Sequence, residues 1–191
     1  MADRFLREVQ PKALIAVEMP GKAADGFAHT ASGRAIVDEH LAKADPFELA
    51  QARGVLRIGL GDGGNELGMG NLRDTLARLS PLGETIAAVA ESDVPVVGAS
   101  SNWAAYAIGV CLEALGGATR VNRSIDLAGI IRRCAEEGAI DGISSRPEAK
   151  VDGTPISMNL GLIEMMSWVV DVALAEAGQG WLMSDKATNK Y

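Results

Sequence analysis

The chain is poor in the residues that staple or metallate small proteins: 191 residues contain two cysteines and two histidines. Cys111 and Cys134 sit in apolar periodic stretches and form no CxxC pair. A disulfide framework and a zinc centre of Cys and His are therefore not expected, and both thiols read as small buried side chains in a reducing compartment. Aromatic residues make up only 4% against 48% apolar residues, so the core must be built from Ala, Val, Leu, Ile and Met. Positive charge is also scarce, with 18 Lys and Arg against 25 acidic residues and a formal charge of -7. No basic run or face occurs, which argues against a nucleic-acid partner. The opening residues lack a basic segment followed by an apolar one, so no signal peptide is expected. Apolar runs fall short of the roughly 18 residues a membrane span needs. The longest, Ile156 to Ala177, is interrupted by Asn159, Glu164 and Asp171. A cytoplasmic protein without a membrane partner is expected.

What is present alternates. Ala13–Val17, Val55–Leu60 and Val94–Ala99 are short continuous apolar runs bounded by Gly, Pro and acidic residues, the pattern of buried parallel strands. Thr85–Ala90 is a weaker run that suits strand or helix. Helical spacing covers Ala35–Ala52 with a break at Pro46, then Leu72–Leu79, then Trp103–Leu115 ending at Gly116-Gly117. A further helix is capped by Ser124 or Asp126 and ends at Gly138, and a last one runs from about Ser157 to Ala177. This order predicts an α/β fold, a three-layer sandwich with a mostly parallel sheet flanked by helices. One domain is expected over 1–183, followed by a polar tail over 184–191.

The second strand opens into the densest feature of the chain. Six of the twelve residues Gly59–Gly70 are glycine, and Asp62, Asn65 and Glu66 lie among them. A glycine loop at the C-terminal end of a strand faces the crevice where α/β proteins bind ligands. Two carboxylates repel a phosphate, and no Gly-Lys-Ser/Thr follows, so a Walker loop and a nucleotide cofactor are not expected. Oxygen donors on a glycine scaffold suit Mg²⁺, Mn²⁺ or an amine instead. Turn formation is the competing reading, since Asp-Gly and Gly-Asn both make turns.

Four Asp-Gly pairs occur, at Asp25, Asp62, Asp141 and Asp152, each a turn former in its own right. Glu18 ends the first strand. Adjacent parallel pairing of the first two strands would bring Glu18 and Asp62 to one sheet edge. Ser100-Ser101-Asn102-Trp103 follows the third strand and opens a helix, a place for a cap or a bound carboxylate. Lys22 is the cation nearest to Glu18 in sequence, and Trp103 and Tyr106 stand one helical turn apart.

These segments together resemble the D-glutamate cyclase-like family. The resemblance is carried by Glu18–Gly26, Gly59–Gly70, Ser101-Asn102-Trp103 with Tyr106, Gly138–Gly142 and Val151-Asp152-Gly153, in that order. It implies cyclisation of D-glutamate to 5-oxo-D-proline with loss of water. Members carry a further α/β segment before the first strand, and this chain begins near that junction. The catalytic set implied is Asp62, Glu66, Asn65 and Glu18, with Glu18, Asp62 and Glu66 the candidate holders of Mg²⁺ or Mn²⁺. Lys22, Asp25, Ser101, Asn102, Trp103 and Asp141 are the candidate substrate-binding residues. The partner implied is a small acid such as D-glutamate, and an exposed sheet edge makes a homo-oligomer the expected assembly. Two other readings stand beside it: a Mg²⁺- or Mn²⁺-dependent phosphatase-like hydrolase, and a binding module without chemistry.

Overall fold

The computed structural model describes residues 2–36, 45–116 and 125–178. They divide into two compact units, Met1–Ala104 and Ala105–Tyr191, with the boundary inside one helix.

The first unit is built on a three-stranded parallel sheet, β1 (Ala13–Val17), β4 (Leu56–Gly61) and β5 (Val94–Val97), in the order β1-β4-β5. All three runs expected as strands form, but only the central β4 is mostly buried; β1 and β5 are the sheet's edges and leave Ile15, Val17, Val94 and Val97 exposed. The glycine-rich strand β4 is central, so its loop leaves from the middle of the sheet. Between β1 and β4 lie a small hairpin, β2 (Ala28–His29) with β3 (Ala35–Ile36), and the helix α2 (Asp45–Gln51). The helical pattern over Ala35–Ala52 therefore needs correction. Its first two residues are a strand, residues 37–44 lie outside the described residues, and the helix starts at Asp45 with Pro46 in its first turn, where proline's missing N–H costs nothing. An amphipathic helix α1 (Ala2–Val9) precedes the sheet, buries Leu6 and packs against α2. Ala16, Phe47 and Leu67 form the packed centre, with Leu14, Met19 and Ala90 against it. Arg57 lies beside them, its guanidinium 5.7 Å from the Phe47 ring centre and 3.2 Å from Asp93.

A 3-10 turn (Gly70–Leu72) runs into α3 (Arg73–Leu79), followed by α4 (Gly83–Ile86). The run Thr85–Ala90 thus ends a short helix and continues as extended chain, where Ala88 and Val89 N–H groups bond Gly64 and Lys22 carbonyls. The fold is an α/β sandwich, a parallel sheet flanked by helices.

The second unit holds most of α5 (Ser101–Gly116), then α6 (Leu127–Glu136), a hairpin of β6 (Lys150–Val151) and β7 (Thr154–Pro155), and α7 (Ile156–Gly178). Asp126 caps α6 by accepting the Gly129 N–H at 2.9 Å, while Ser124 and the tail 184–191 lie outside the described residues. Two expectations change here. Cys111 and Cys134 are free and exposed, because the apolar stretches that hold them turn these positions outward. By length and composition alone, Ile156–Ala175 is long and apolar enough to cross a membrane, with a mean hydropathy of 1.4. Asn159, Glu164 and Asp171 interrupt the run of apolar letters without lowering the average of a continuous helix enough.

Candidate functional site

β1 and β4 pair in parallel with Val17 opposite Leu60, so both chains leave the sheet at the same level. Glu18 extends the ladder by one bond, its N–H reaching the Leu60 carbonyl at 3.2 Å, and then turns with φ of 52°. A left-handed glutamate is strained by about 1 kcal/mol or more, and such strain gathers at functional sites. Asp62 follows β4. Glu66 stands four residues on and is buried, with 2% of its surface exposed. One carboxylate oxygen from each of Glu18, Asp62 and Glu66 lies within 4.8 Å of the others.

The glycine loop is shaped around Glu66. Its Oε1 accepts the N–H groups of Asp62 at 3.0 Å and Gly63 at 2.8 Å, and its Oε2 accepts that of Gly64 at 2.7 Å. Three successive N–H groups converging on an anion form a nest, here filled by the chain's own carboxylate. The loop's N–H donors are thus already engaged by Glu66. The glycines make room: a Cβ on Gly61 would stand 2.5 Å from Glu66 Oε2, and one on Gly63 2.5 Å from Asn65 Oδ1. Gly64 takes φ of 82°, closed to most side chains.

Asp62 reaches the other way. Its Oδ2 accepts the Ser101 N–H at 3.0 Å and faces the Ser101 hydroxyl at 3.4 Å, so the positive start of α5 meets a carboxylate of this chain. Ser101 is fully buried. Asn102 bonds through its backbone N–H to the Ser100 hydroxyl at 3.3 Å, and the Trp103 N–H bonds the Ser100 carbonyl at 3.0 Å. Asn65 points elsewhere, donating its amide to the His29 carbonyl at 2.9 Å. Beside Asp62 opens a cavity of about 190 Å³, walled by Met69, Leu72, Thr75, Leu76, Leu79 and Val97.

Asp25 lies outside the group of three: its Oδ1 takes the Phe27 N–H at 3.0 Å and its Oδ2 the His29 ring at 2.9 Å. Phe27's N–H chiefly, with the His29 ring, holds the Asp25 carboxyl below its ordinary value against the opposing effect of desolvation. Lys22 forms an isolated bridge with Ala28, and its carbonyl takes the Val89 N–H at 2.9 Å. Asp141 belongs to the second unit, where its carboxylate accepts the N–H groups of Ser144 at 2.7 Å and Gly153 at 2.8 Å. The residue missed in sequence is His29, four positions after Asp25. That spacing within a turn-rich segment is the one signal that could have paired them.

A family model described as D-glutamate cyclase-like, C-terminal, matches residues 2–167. The chain belongs to the D-glutamate cyclase-like family. The human protein named D-glutamate cyclase, mitochondrial, is 39% identical over 107 residues, covering 53% of this chain and 17% of that protein. The chain thus spans a small part of that relative's length. All ten sequence-derived site residues, from Glu18 to Asp141, fall within the part that matches the D-glutamate cyclase-like model.

Proposed function

We propose that this chain is a D-glutamate cyclase-like lyase whose chemistry occurs at the Glu18, Asp62 and Glu66 carboxylates. The observation that carries the proposal is the gathering of their oxygens within 4.8 Å at the head of the glycine loop, in a chain of that family. In the reaction the substrate's amine attacks its own γ-carboxyl carbon, a C–N bond forms, a C–O bond breaks and water leaves. The amine must be neutral to attack, which needs a base, and the departing oxygen needs a proton. Folding amine and carboxyl together supplies much of the acceleration.

Asp62 and Glu18 are exposed and suit the proton transfers, whereas Glu66 is taken up by three backbone donors and holds the loop in shape. The apolar lining of the cavity beside Asp62 suits the substrate's methylenes. Three hard oxygen donors at this spacing also fit Mg²⁺ or Mn²⁺, held by Glu18, Asp62 and Glu66. Such an ion would polarise the carboxyl group under attack.

The test is cyclisation of D-glutamate by Asp62→Asn, Glu18→Gln and Glu66→Gln beside the unaltered chain. Asp62→Asn is expected to lose about 100-fold or more, the scale of a general acid or base. Unchanged rates in all three variants would end the proposal. Turnover of a phosphomonoester with Mn²⁺, together with indifference to D-glutamate, would replace it with the hydrolase reading.

A further inference from the structure

His29 is 4% exposed, and both of its ring nitrogens face oxygen: Nε2 lies 2.9 Å from Asp25 Oδ2 and Nδ1 lies 3.2 Å from the Gly33 carbonyl. A carbonyl oxygen only accepts, so Nδ1 must carry a proton. The Asp25 carboxyl is kept ionised by the Phe27 N–H, and an ionised carboxylate also only accepts. The ring thus joins the turn at Asp25 to the Gly33 carbonyl.

The same residue touches the glycine loop through its backbone. The His29 carbonyl accepts the Asn65 side-chain amide at 2.9 Å, and the Asn65 carbonyl accepts the Gly21 N–H at 2.8 Å. Asn65 stands between the nest donors Asp62, Gly63 and Gly64 and their acceptor Glu66. A shift of β2 would pull on that side chain and open the nest.

We infer that His29 is a positioning residue: a buried ring held between Asp25 and Gly33 that locks the β2–β3 hairpin and, through its carbonyl and Asn65, sets the shape of the glycine loop. The role in catalysis rests on the reading of that loop as the active site; the clamp itself does not. The charged side chains on the surrounding elements are Asp25 in the preceding turn, Lys22 on the segment bridged to Ala28, Arg34 before β3 and Glu84 on α4. Among the described residues, Asp25 is the charged group in contact with the ring.

Nitrogen NMR of the intact chain with labelled histidine tests the clamp, the His29 signals being identified by their loss in His29→Gln. In Asp25→Asn the His29 ring signals are expected to move, because the carboxylate 2.9 Å from Nε2 is gone. The Gly63 and Gly64 amides are expected to shift in both variants and to exchange with solvent about tenfold faster. Asp25→Glu, which keeps the carboxylate, should restore both readouts toward the unaltered chain. Unmoved His29 ring signals in Asp25→Asn would overturn the clamp. Unmoved Gly63 and Gly64 amides in Asp25→Asn would overturn the positioning role, and that variant decides alone if His29→Gln does not fold. No readout depends on D-glutamate turnover, so failure of the proposed reaction and failure of the clamp are told apart.

Discussion

Asp62 and Asp141 each begin an Asp-Gly pair in a loop, and the structure employs them in opposite ways. Asp141 is buried, with both carboxylate oxygens taken by the backbone N–H groups of Ser144 and Gly153, so it ties one loop to the turn of the β6–β7 hairpin. Asp62 is exposed, gives Oδ2 to Ser101, and shares its surroundings with two further acids. The dipeptide is the same. What differs is the surroundings: the Asp141 carboxylate is enclosed by N–H groups as a structural tie, while that of Asp62 lies beside two other carboxylates. Glu66 lies between these extremes, tied by three N–H groups yet within the acid group.

The sharpest way to break this comparison is to neutralise both aspartates. Asp62→Asn is expected to lower D-glutamate turnover by about 100-fold or more with little change in thermal midpoint. Asp141→Asn should do the reverse, lowering the midpoint while turnover per folded molecule holds. Exchanged outcomes in kinetics and thermal unfolding would refute the contrast. Next in size is the loop scaffold. Gly64→Ala combines a φ of 82° with a Cβ placed 2.6 Å from a Leu76 methyl, and denaturant titration should show a loss of about 2–3 kcal/mol. Gly26→Ala has a similar φ of 87° but open space around the new Cβ, so about 1 kcal/mol is expected. Equal losses would mean that packing against Leu76 contributes nothing.

The smallest effect is on acid stability. The Gly153 N–H, then that of Ser144, holds the Asp141 carboxyl below its ordinary value of 3.8, with burial opposing. A lowered folded-state value adds stability above pH 3.8 that is lost as pH falls through the lower value. Stability curves below pH 3.8 should therefore be flatter for Asp141→Asn. Asp25 and Asp93 are lowered in the same way and keep part of the slope in that variant.

The parts legible in the sequence share a physical cause. β1, β4 and β5 announce themselves as short continuous apolar runs bounded by Gly, Pro and acidic residues, and the adjacency of β1 and β4 alone brings Glu18 and Asp62 to one edge. The return of Glu66 onto the loop was not legible, since it depends on the backbone path through Gly63 and Gly64. The β2–β3 hairpin escaped because two-residue strands carry no period, which in turn hid His29 from Asp25 and Asn65. The exposure of Cys111 was not legible because α5 is apolar nearly all round, so its spacing does not single out one face.

Gly59 in the central strand and Gly68 beyond the loop touch backbone to backbone, a Cβ on either lying 2.8 to 2.9 Å from the other's Cα. The loop is therefore not a portable cassette. Grafted onto another scaffold without the strand that carries Gly59, it would meet a side chain where it needs bare main chain, and its acids would not arrive in register. The transferable unit is strand, loop and return together, from β4 through Gly70.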